Sequence, residues 1–173
     1  MVRVMWGRLR SRVGAGGLVI GVIVAAALVF IGFSVLQSIR PDEVNIAAGS
    51  NFSCTVLSVY DGDGPINCAE VDGQGRQVTV RLRGIEAREP DNSCQTAICP
   101  RMSGEEAKAV ATRLAVGRLQ CTSFGPSYNR VDASCRNPDG VDISCVLIRT
   151  GAAVRWPEYD REERLVSCVP PRQ

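Results

Sequence analysis

The chain has 173 residues, enough for one membrane segment and one compact domain of roughly 100 to 150 residues. It contains no histidine, which excludes a Ser-His-Asp triad and any metal site that depends on imidazole ligands. Its 20 basic and 18 acidic residues give a net charge of +2, and four of the arginines lie in residues 1–12. The rest carries 16 basic against 18 acidic residues, so binding to a polyanion requires locally placed arginines.

The N-terminal segment has the pattern of a membrane anchor. Residues 1–12 form a basic cytoplasmic tail, and residues 13–36, VGAGGLVIGVIVAAALVFIGFSVL, form an uncharged run of 24 residues. At about 1.5 Å per residue, a helix of that length crosses a hydrocarbon core of about 30 Å. The arginines before the span orient it with the N-terminus in the cytoplasm and the remainder in the periplasm or outside the cell. We expect a single-pass anchor, with a long cleaved signal as the alternative, and then a tether over residues 37–51.

Cysteine usage agrees with an oxidising compartment. All eight cysteines follow the predicted anchor, and an even number in a small exported domain is typical of a disulfide framework. A zinc site is the alternative, but the chain has neither a Cys-x-x-Cys pair nor a histidine. Cys94 and Cys99 are the predicted disulfide, because both lie in the loop-like segment DNSCQTAICP. The other pairings stay open.

Residues 52–173 have the pattern of a small β-rich domain. Period-two alternation between Asp/Gly and other turns predicts strands at 52–60, 66–71, 77–85, 119–124 and 130–135. Helical spacing predicts one helix after a Ser103–Glu106 capping box, a second at residues 143–150, and a short third in residues 157–167. Five short strands with a helix between the third and the fourth are typical of an oligonucleotide-binding (OB) barrel. The predicted fold class is therefore α+β, with a five-stranded OB-type β-barrel after the anchor.

Three carboxylates and an arginine fall where such a barrel brings chain segments together. Asp63 lies in the first turn, while Arg81, Glu86 and Glu89 lie on or just after the third predicted strand. Carboxylates at one mouth repel each other unless a cation or arginines lie among them, and a hard divalent ion is the natural partner of oxygen ligands. Arginines, a metal and a free carboxylate are the parts that phosphodiester hydrolysis needs.

Each of these residues also has a purely structural interpretation. A strand arginine is commonly salt-bridged, a loop glutamate is commonly solvated, and an aspartate beside glycine is commonly a turn former. We keep the turn-forming interpretation for Asp61 and predict Arg83 to be a surface residue. Arg88 receives no role.

Three further patterns, taken in order, identify a family resemblance. They are VYDGDG at 59–64, VRLRGIEAREP at 80–90 and YNRVDASCRNPDGVDISCVLIRTGAAV at 128–154. They are similar to the V-x-D-G-D-T turn, the R-L-x-G-I-D-x-P-E run, and the Y-G-R-x-x-A, D-G, helix and Gly-Ala segment of the staphylococcal nuclease-like (thermonuclease) domains. The resemblance spans residues 52–154, nearly all of the exported part. Each motif alone is weak, and the three in order are fairly specific.

The resemblance implies a catalytic role for three residues. Arg81 matches the family's first phosphate-binding arginine, and Glu89 matches its general base, which activates the attacking water. Arg130 matches its second arginine, which stabilises the transition state. The implied activity is endonucleolytic cleavage of single-stranded or frayed DNA and RNA with calcium, leaving 3′-phosphates. The sequence indicates no protein partner.

The resemblance also implies a calcium site, although this part of the sequence departs from the family pattern. Asp63 and Glu86 match the two calcium-binding carboxylates, and Ala87 matches a position that contributes a backbone carbonyl. Glu86 stands where the family usually has Asp, so its carboxylate reaches one methylene further, and a divalent ion other than calcium stays open. Gly64 replaces the usual Thr, and Arg88 replaces the Pro that precedes the general base, which is expected to loosen the loop.

Two further functional classes compete with a membrane-tethered nuclease. One is a barrel that has lost turnover and serves as a nucleic-acid-binding or partner-binding module of the envelope. The other is a disulfide-stabilised structural domain, which accounts for the cysteines but not for the charged cluster. Retention of Arg81, Glu89 and Arg130 together favours the enzyme, because a binding module has no need of the acid.

Overall fold

The structure is a computed structural model that describes residues 44–171. The predicted basic tail (1–12), the predicted anchor (13–36) and the first part of the predicted tether lie outside the described residues. Among residues 44–171, no helix is both long and apolar enough to span a membrane. The anchored topology therefore stays a prediction.

Five of the seven strands close into a barrel. The strands are β1 (Asn51–Val59), β2 (Ile66–Val71), β3 (Gln77–Leu82), β4 (Ile85–Ala87), β5 (Arg118–Ser127), β6 (Arg130–Arg136) and β7 (Ala153–Arg155). The barrel has the order β1-β2-β3-β6-β5, and β4 and β7 form a separate two-stranded sheet. Only the β3–β6 pair of the barrel is parallel, and its other neighbouring strands pair antiparallel. With two helices, this mixed barrel is an OB-like α+β fold, as predicted.

Alternation along the strands fills the barrel interior. On β3, Val78, Val80 and Leu82 are buried, while the residues between them are partly exposed. Val131 on β6 is the register partner of Val80, and both are fully buried. Burial of each such aliphatic side chain contributes about 1.5–3 kcal/mol. The positions between them project out of the barrel, and Arg81 is one of these.

The first helix begins, and the second helix begins and ends, where local signals predict. Helix α1 (Gly104–Leu114) has the predicted capping box, in which Ser103 and Glu106 each accept from the other's backbone amide. Helix α2 (Ile143–Thr150) has the predicted bounds and ends at Gly151, which adopts the left-handed φ of 80°. The predicted third helix is instead two short 3-10 helices, Pro157–Tyr159 and Val166–Cys168.

The predicted strand over residues 77–85 is wrong at its C-terminal end. β3 ends at Leu82, and the chain turns through Gly84, whose φ is 81°. Residues 85–87 then form β4, which leaves the barrel and pairs antiparallel with β7. A three-residue strand is too short to show a period, so only tertiary pairing defines it. This turn brings Glu86 back beside Arg81.

Four disulfides use all eight cysteines. They confirm the predicted Cys94–Cys99 pair, which closes a loop between β4 and α1. The remaining three are Cys54–Cys68 between β1 and β2, Cys121–Cys135 between β5 and β6, and Cys145–Cys168 between α2 and the second 3-10 helix. The first two join adjacent strands of the barrel. The last attaches the C-terminal segment to the helical layer.

Candidate active site

The centre of the predicted site is a buried cluster of one arginine and two carboxylates. Arg81 extends from β3, Asp63 lies in the turn between β1 and β2, and Glu86 lies on β4. Arg81 Nη2 lies 3.0 Å from Asp63 Oδ2 and 3.2 Å from Glu86 Oε2. The side chains of Asp63 and Glu86 are 4% and 1% exposed, and that of Arg81 is 17% exposed. One guanidinium nitrogen therefore joins two buried carboxylates.

The turn that carries Asp63 is organised by the side chain of Asp61. Asp61 Oδ1 accepts from the amides of Asp63 and Gly64 at 3.1 and 2.9 Å, which confirms Asp61 as a turn former. Asp63 in turn accepts the amide of Ala87 on its Oδ2 at 3.2 Å. This contact uses the amide of Ala87, whereas the family resemblance concerns its carbonyl. The hydrogen bond holds the turn against β4.

Two glycines allow the close approach of three elements at the site, and neither was singled out from the sequence. A Cβ at Gly62 would lie 2.5 Å from the Cβ of Ala87 and 2.8 Å from that of Ala107 on α1. A Cβ at Gly104, the first residue of α1, would lie 2.1 Å from the carbonyl oxygen of Glu89. Side chains at either position would force the turn, β4 and α1 apart.

The disulfide-closed loop reaches the cluster through its backbone. The amide of Gln95, next to Cys94, donates to Glu86 Oε1 at 2.7 Å. The other oxygen of Glu86 accepts from Arg81, so both oxygens of this buried carboxylate are hydrogen-bonded. The loop thus fixes the orientation of Glu86.

Arg88 braces this loop, contrary to the expectation that replacing Pro by Arg loosens it. Its Nε donates to the carbonyl of Pro100 at 3.0 Å, and its Nη1 donates to the carbonyl of Asn92 at 2.6 Å. Hydrogen bonds from a charged guanidinium are stronger than neutral ones. Arg88 therefore ties the two ends of the segment that follows Glu89.

Burial and charge shift the protonation equilibria in the cluster. Burial raises the pKa of the Asp63 carboxyl well above its usual range, and the charge of Arg81 only partly opposes this effect. Burial alone would lower the pKa of Arg81, but the carboxylates of Asp63 and Glu86 raise it above its ordinary value. Arg81 is therefore permanently charged, and proton exchange in the cluster is confined to its carboxylates.

Glu89 is the predicted general base, and its carboxylate has no direct partner among the described residues. It lies just beyond β4, is partly exposed, and makes no side-chain hydrogen bond or ion pair within residues 44–171. Partial burial raises its pKa, and the negative charges of Asp61 and Glu86 raise it further, against the opposing charge of Arg81. A partly exposed carboxylate with a raised pKa has the properties of a general base.

Arg130 lies at the start of β6, on the same outer face of the barrel as Arg81. Arg81 is the register partner of Asp132, and residues two apart on a strand project to the same side. Arg130 forms no ion pair within the described residues, and its buried Nε has no hydrogen-bond partner there. The structure therefore presents one arginine held by carboxylates and a second without a counter-charge.

Two other side chains have contacts that the sequence did not predict. Arg83 is only 17% exposed: it pairs with Asp132 at 3.2 Å and stacks 4.8 Å from the ring centre of Phe124, so the surface prediction is wrong. Trp156, which received no role, lies with its ring centre 6.0 Å from the Arg81 guanidinium carbon. An aromatic residue shortly after a Gly-Ala segment carries no local signal of that contact.

Asp63 and Glu86 are the two carboxylates that the predicted divalent ion would bind. Asp63 and Glu86 offer oxygen ligands only, as calcium and magnesium prefer, and both already converge on a single positive charge. Within residues 44–171, no three His, Cys, Asp or Glu side chains are grouped as a metal centre. An ion here would therefore take two carboxylates, with backbone or water oxygens completing its shell. It would also compete with Arg81 for them.

Comparison with known proteins adds no assignment. No family model matches this chain, and no curated protein matches it.

Proposed function

We propose that this chain is a metal-dependent nuclease of the staphylococcal nuclease-like type, hydrolysing phosphodiester bonds of DNA or RNA outside the cytoplasm. The observation that carries the proposal is that Glu89 is partly exposed and has no side-chain partner in residues 44–171, while Arg81 is held by Asp63 and Glu86. A module that only binds anions gains nothing from a free carboxylate in its site. A hydrolase needs one, because water must lose a proton as it attacks phosphorus.

Each residue has a definite task in this reaction. Glu89 accepts the proton of the attacking water, which forms the new P–O bond while the bond to the leaving oxygen breaks. Arg81 and Arg130 donate hydrogen bonds to the phosphate oxygens, where negative charge increases in the transition state. Asp63 and Glu86 orient Arg81 and would hold the divalent ion, calcium being the proposed one. When bound, this ion supplies further stabilisation of negative charge on the phosphate.

The proposed location is the outer face of a membrane, with the chain anchored by residues 13–36. Four disulfides in a domain of this size are typical of an oxidising compartment. The basic N-terminal tail agrees with an orientation that places the barrel outside the cytoplasm.

A specific observation favours a second candidate, a barrel that binds nucleic acid or a partner without turnover. Arg81 is neutralised by two carboxylates, so a phosphate must compete with Asp63 and Glu86 for it. Arg81 would be available to a phosphate only if Asp63 and Glu86 held a cation in its place. With both carboxylates paired to Arg81, the site would be inactive.

The test follows hydrolysis by the full oxidised chain, purified with detergent to keep its hydrophobic N-terminal segment in solution. Fluorescently labelled single-stranded DNA and RNA are incubated with calcium, with magnesium or manganese, and with a chelator. We expect cleavage that depends on the divalent ion and stops with the chelator. Binding of both nucleic acids without cleavage under any ion would contradict the nuclease and support the second candidate.

A further inference from the structure

A large groove lies next to the candidate active site. Its walls come from the loop closed by Cys94–Cys99, the end of α2, β7 and the C-terminal residues 169–171, and its volume is about 1080 Å³. We call this the distal groove. Its lining includes Gln95, Ile98, Arg101, Arg149, Trp156 and Val169. Ligand pockets commonly measure about 300–1,000 Å³, so the distal groove has room for more than one small-molecule unit.

The distal groove adjoins the charged cluster through two of its wall residues. Gln95 lines the groove, and its amide donates to Glu86 Oε1 at 2.7 Å. Trp156 also lines the groove, and its ring centre lies 6.0 Å from the guanidinium carbon of Arg81. The groove is therefore a neighbour of the proposed site.

The charge of the distal groove suits a phosphate backbone. Arg101 and Arg149 are both exposed, and the side chains of neither make a hydrogen bond or ion pair within the part of the chain that the structure describes. Arg155 also lines the groove but is held by Asp160 at 2.6 Å, and Glu158 is the one acidic residue of the lining. Two arginines without counter-charge in one groove stand out, because acidic residues outnumber basic ones after residue 12.

The apolar part of the walls suits bases and sugars. Ile98 is 71% exposed and Val169 is 47% exposed, and Trp156 adds an aromatic surface. Grooves that bind single strands combine a basic track for phosphates with aromatic or apolar surfaces for unstacked bases. A protein segment of opposite charge is the rival occupant, but it does not account for the nearness of the groove to Arg81.

We propose that the distal groove binds the nucleotides next to the cleaved bond of a single-stranded nucleic acid, with Arg101 and Arg149 contacting their phosphates. This proposal rests on the proposed nuclease function, because it assigns that enzyme a single-stranded substrate longer than a dinucleotide. Bases that are paired in a duplex cannot spread onto the apolar walls. Preference for single strands follows from this geometry.

The test compares two double variants of the full chain in detergent. Arg101→Ala/Arg149→Ala removes the groove arginines, and Arg113→Ala/Arg118→Ala removes two exposed arginines outside the groove as a matched change of charge. Binding of fluorescein-labelled (dT)12 is measured by anisotropy over a range of salt concentrations, with chelator present to prevent cleavage. Hydrolysis of bis(p-nitrophenyl) phosphate, which has no second phosphate for Arg101 or Arg149 to contact, is measured separately with calcium.

We expect the groove variant to bind (dT)12 at least tenfold more weakly than the control. We also expect the plot of log binding constant against log salt concentration to be shallower by about 1.4 for the groove variant. Each phosphate of a single strand that an arginine neutralises contributes about 0.7 to the steepness of that plot. The groove variant's hydrolysis of the small substrate should equal that of the control. Equal (dT)12 affinity of the two variants would overturn the proposal. Wild-type chain that hydrolyses nothing would contradict the nuclease, while the binding comparison would still decide the role of the groove.

Discussion

The contact between Gly104 and Glu89 leads to the sharpest prediction about the geometry of the site. In Gly104→Ala, the new Cβ would lie 2.1 Å from the carbonyl oxygen of Glu89 and 2.7 Å from its carbonyl carbon, whereas real Cβ contacts essentially never fall below 3.0 Å. Both contacts are to backbone, so no side chain can rotate away. The backbone of Glu89 and the start of α1 must therefore separate by about 1 Å, and such a displacement of a catalytic group costs ~100-fold in rate.

The matched control is Gly73→Ala, because a Cβ at Gly73 meets nothing within 4 Å. We expect Gly104→Ala to lower kcat/KM on single-stranded DNA by ~100-fold and to lose about 1–3 kcal/mol of unfolding free energy from overpacking. Circular dichroism at the assay temperature establishes that both variants are folded. The control should keep full activity. A folded Gly104→Ala enzyme with kcat/KM within twofold of wild type would refute the inference that this contact positions Glu89.

Four other predictions follow from the charges and cross-links of the domain. The pKa of Glu89 is raised, so its ionised fraction falls as pH falls through that raised value. We therefore expect kcat/KM to decrease at acidic pH with an apparent pKa above the ordinary glutamate value of about 4.3. Asp61→Asn keeps an oxygen for the turn amides but removes a charge that raises the pKa of Glu89, so the pH–rate profile should move to lower pH; a shift upward would contradict this. Arg81→Lys keeps the charge but has one nitrogen, which Asp63 and Glu86 would occupy, so no second nitrogen is left to contact the phosphate. Steady-state kinetics should show a loss of ~100-fold in kcat/KM, and less than threefold would argue against that role. Cys145→Ser/Cys168→Ser removes a disulfide with a sequence separation of 23 and should lower the free energy of unfolding by about 3 kcal/mol, measured by urea denaturation. A loss under about 0.5 kcal/mol would contradict this prediction.

Features with local determinants are the ones that the sequence predicts well. Helix α2 has its predicted bounds because Asp142 caps one end and Gly151 ends the other. The Cys94–Cys99 pair was also predictable, because a separation of five residues in one loop leaves few alternatives. In each case the controlling residues are neighbours in the chain. Local chemistry then suffices to specify the structure.

Features of the site that depend on distant contacts were less predictable. The end of the third strand was misplaced because β4 exists only through its pairing with β7. The convergence of Asp63 and Glu86 was expected, but their shared hydrogen bonds to Arg81 depend on how three separate elements meet. The close approach at Gly104 likewise depends on where α1 begins relative to Glu89. No pattern of neighbouring residues encodes these distances.

The role of Glu89 as general base is the central claim, and one measurement tests it most directly. Initial rates of calcium-dependent cleavage of single-stranded DNA are compared for the full-length wild-type chain, Glu89→Gln and the control Glu105→Gln, which removes an exposed carboxylate on α1. Our account predicts that Glu105→Gln keeps the wild-type rate and that Glu89→Gln loses ~100-fold or more while remaining folded and binding (dT)12 normally. Cleavage by Glu89→Gln at the wild-type rate would contradict it.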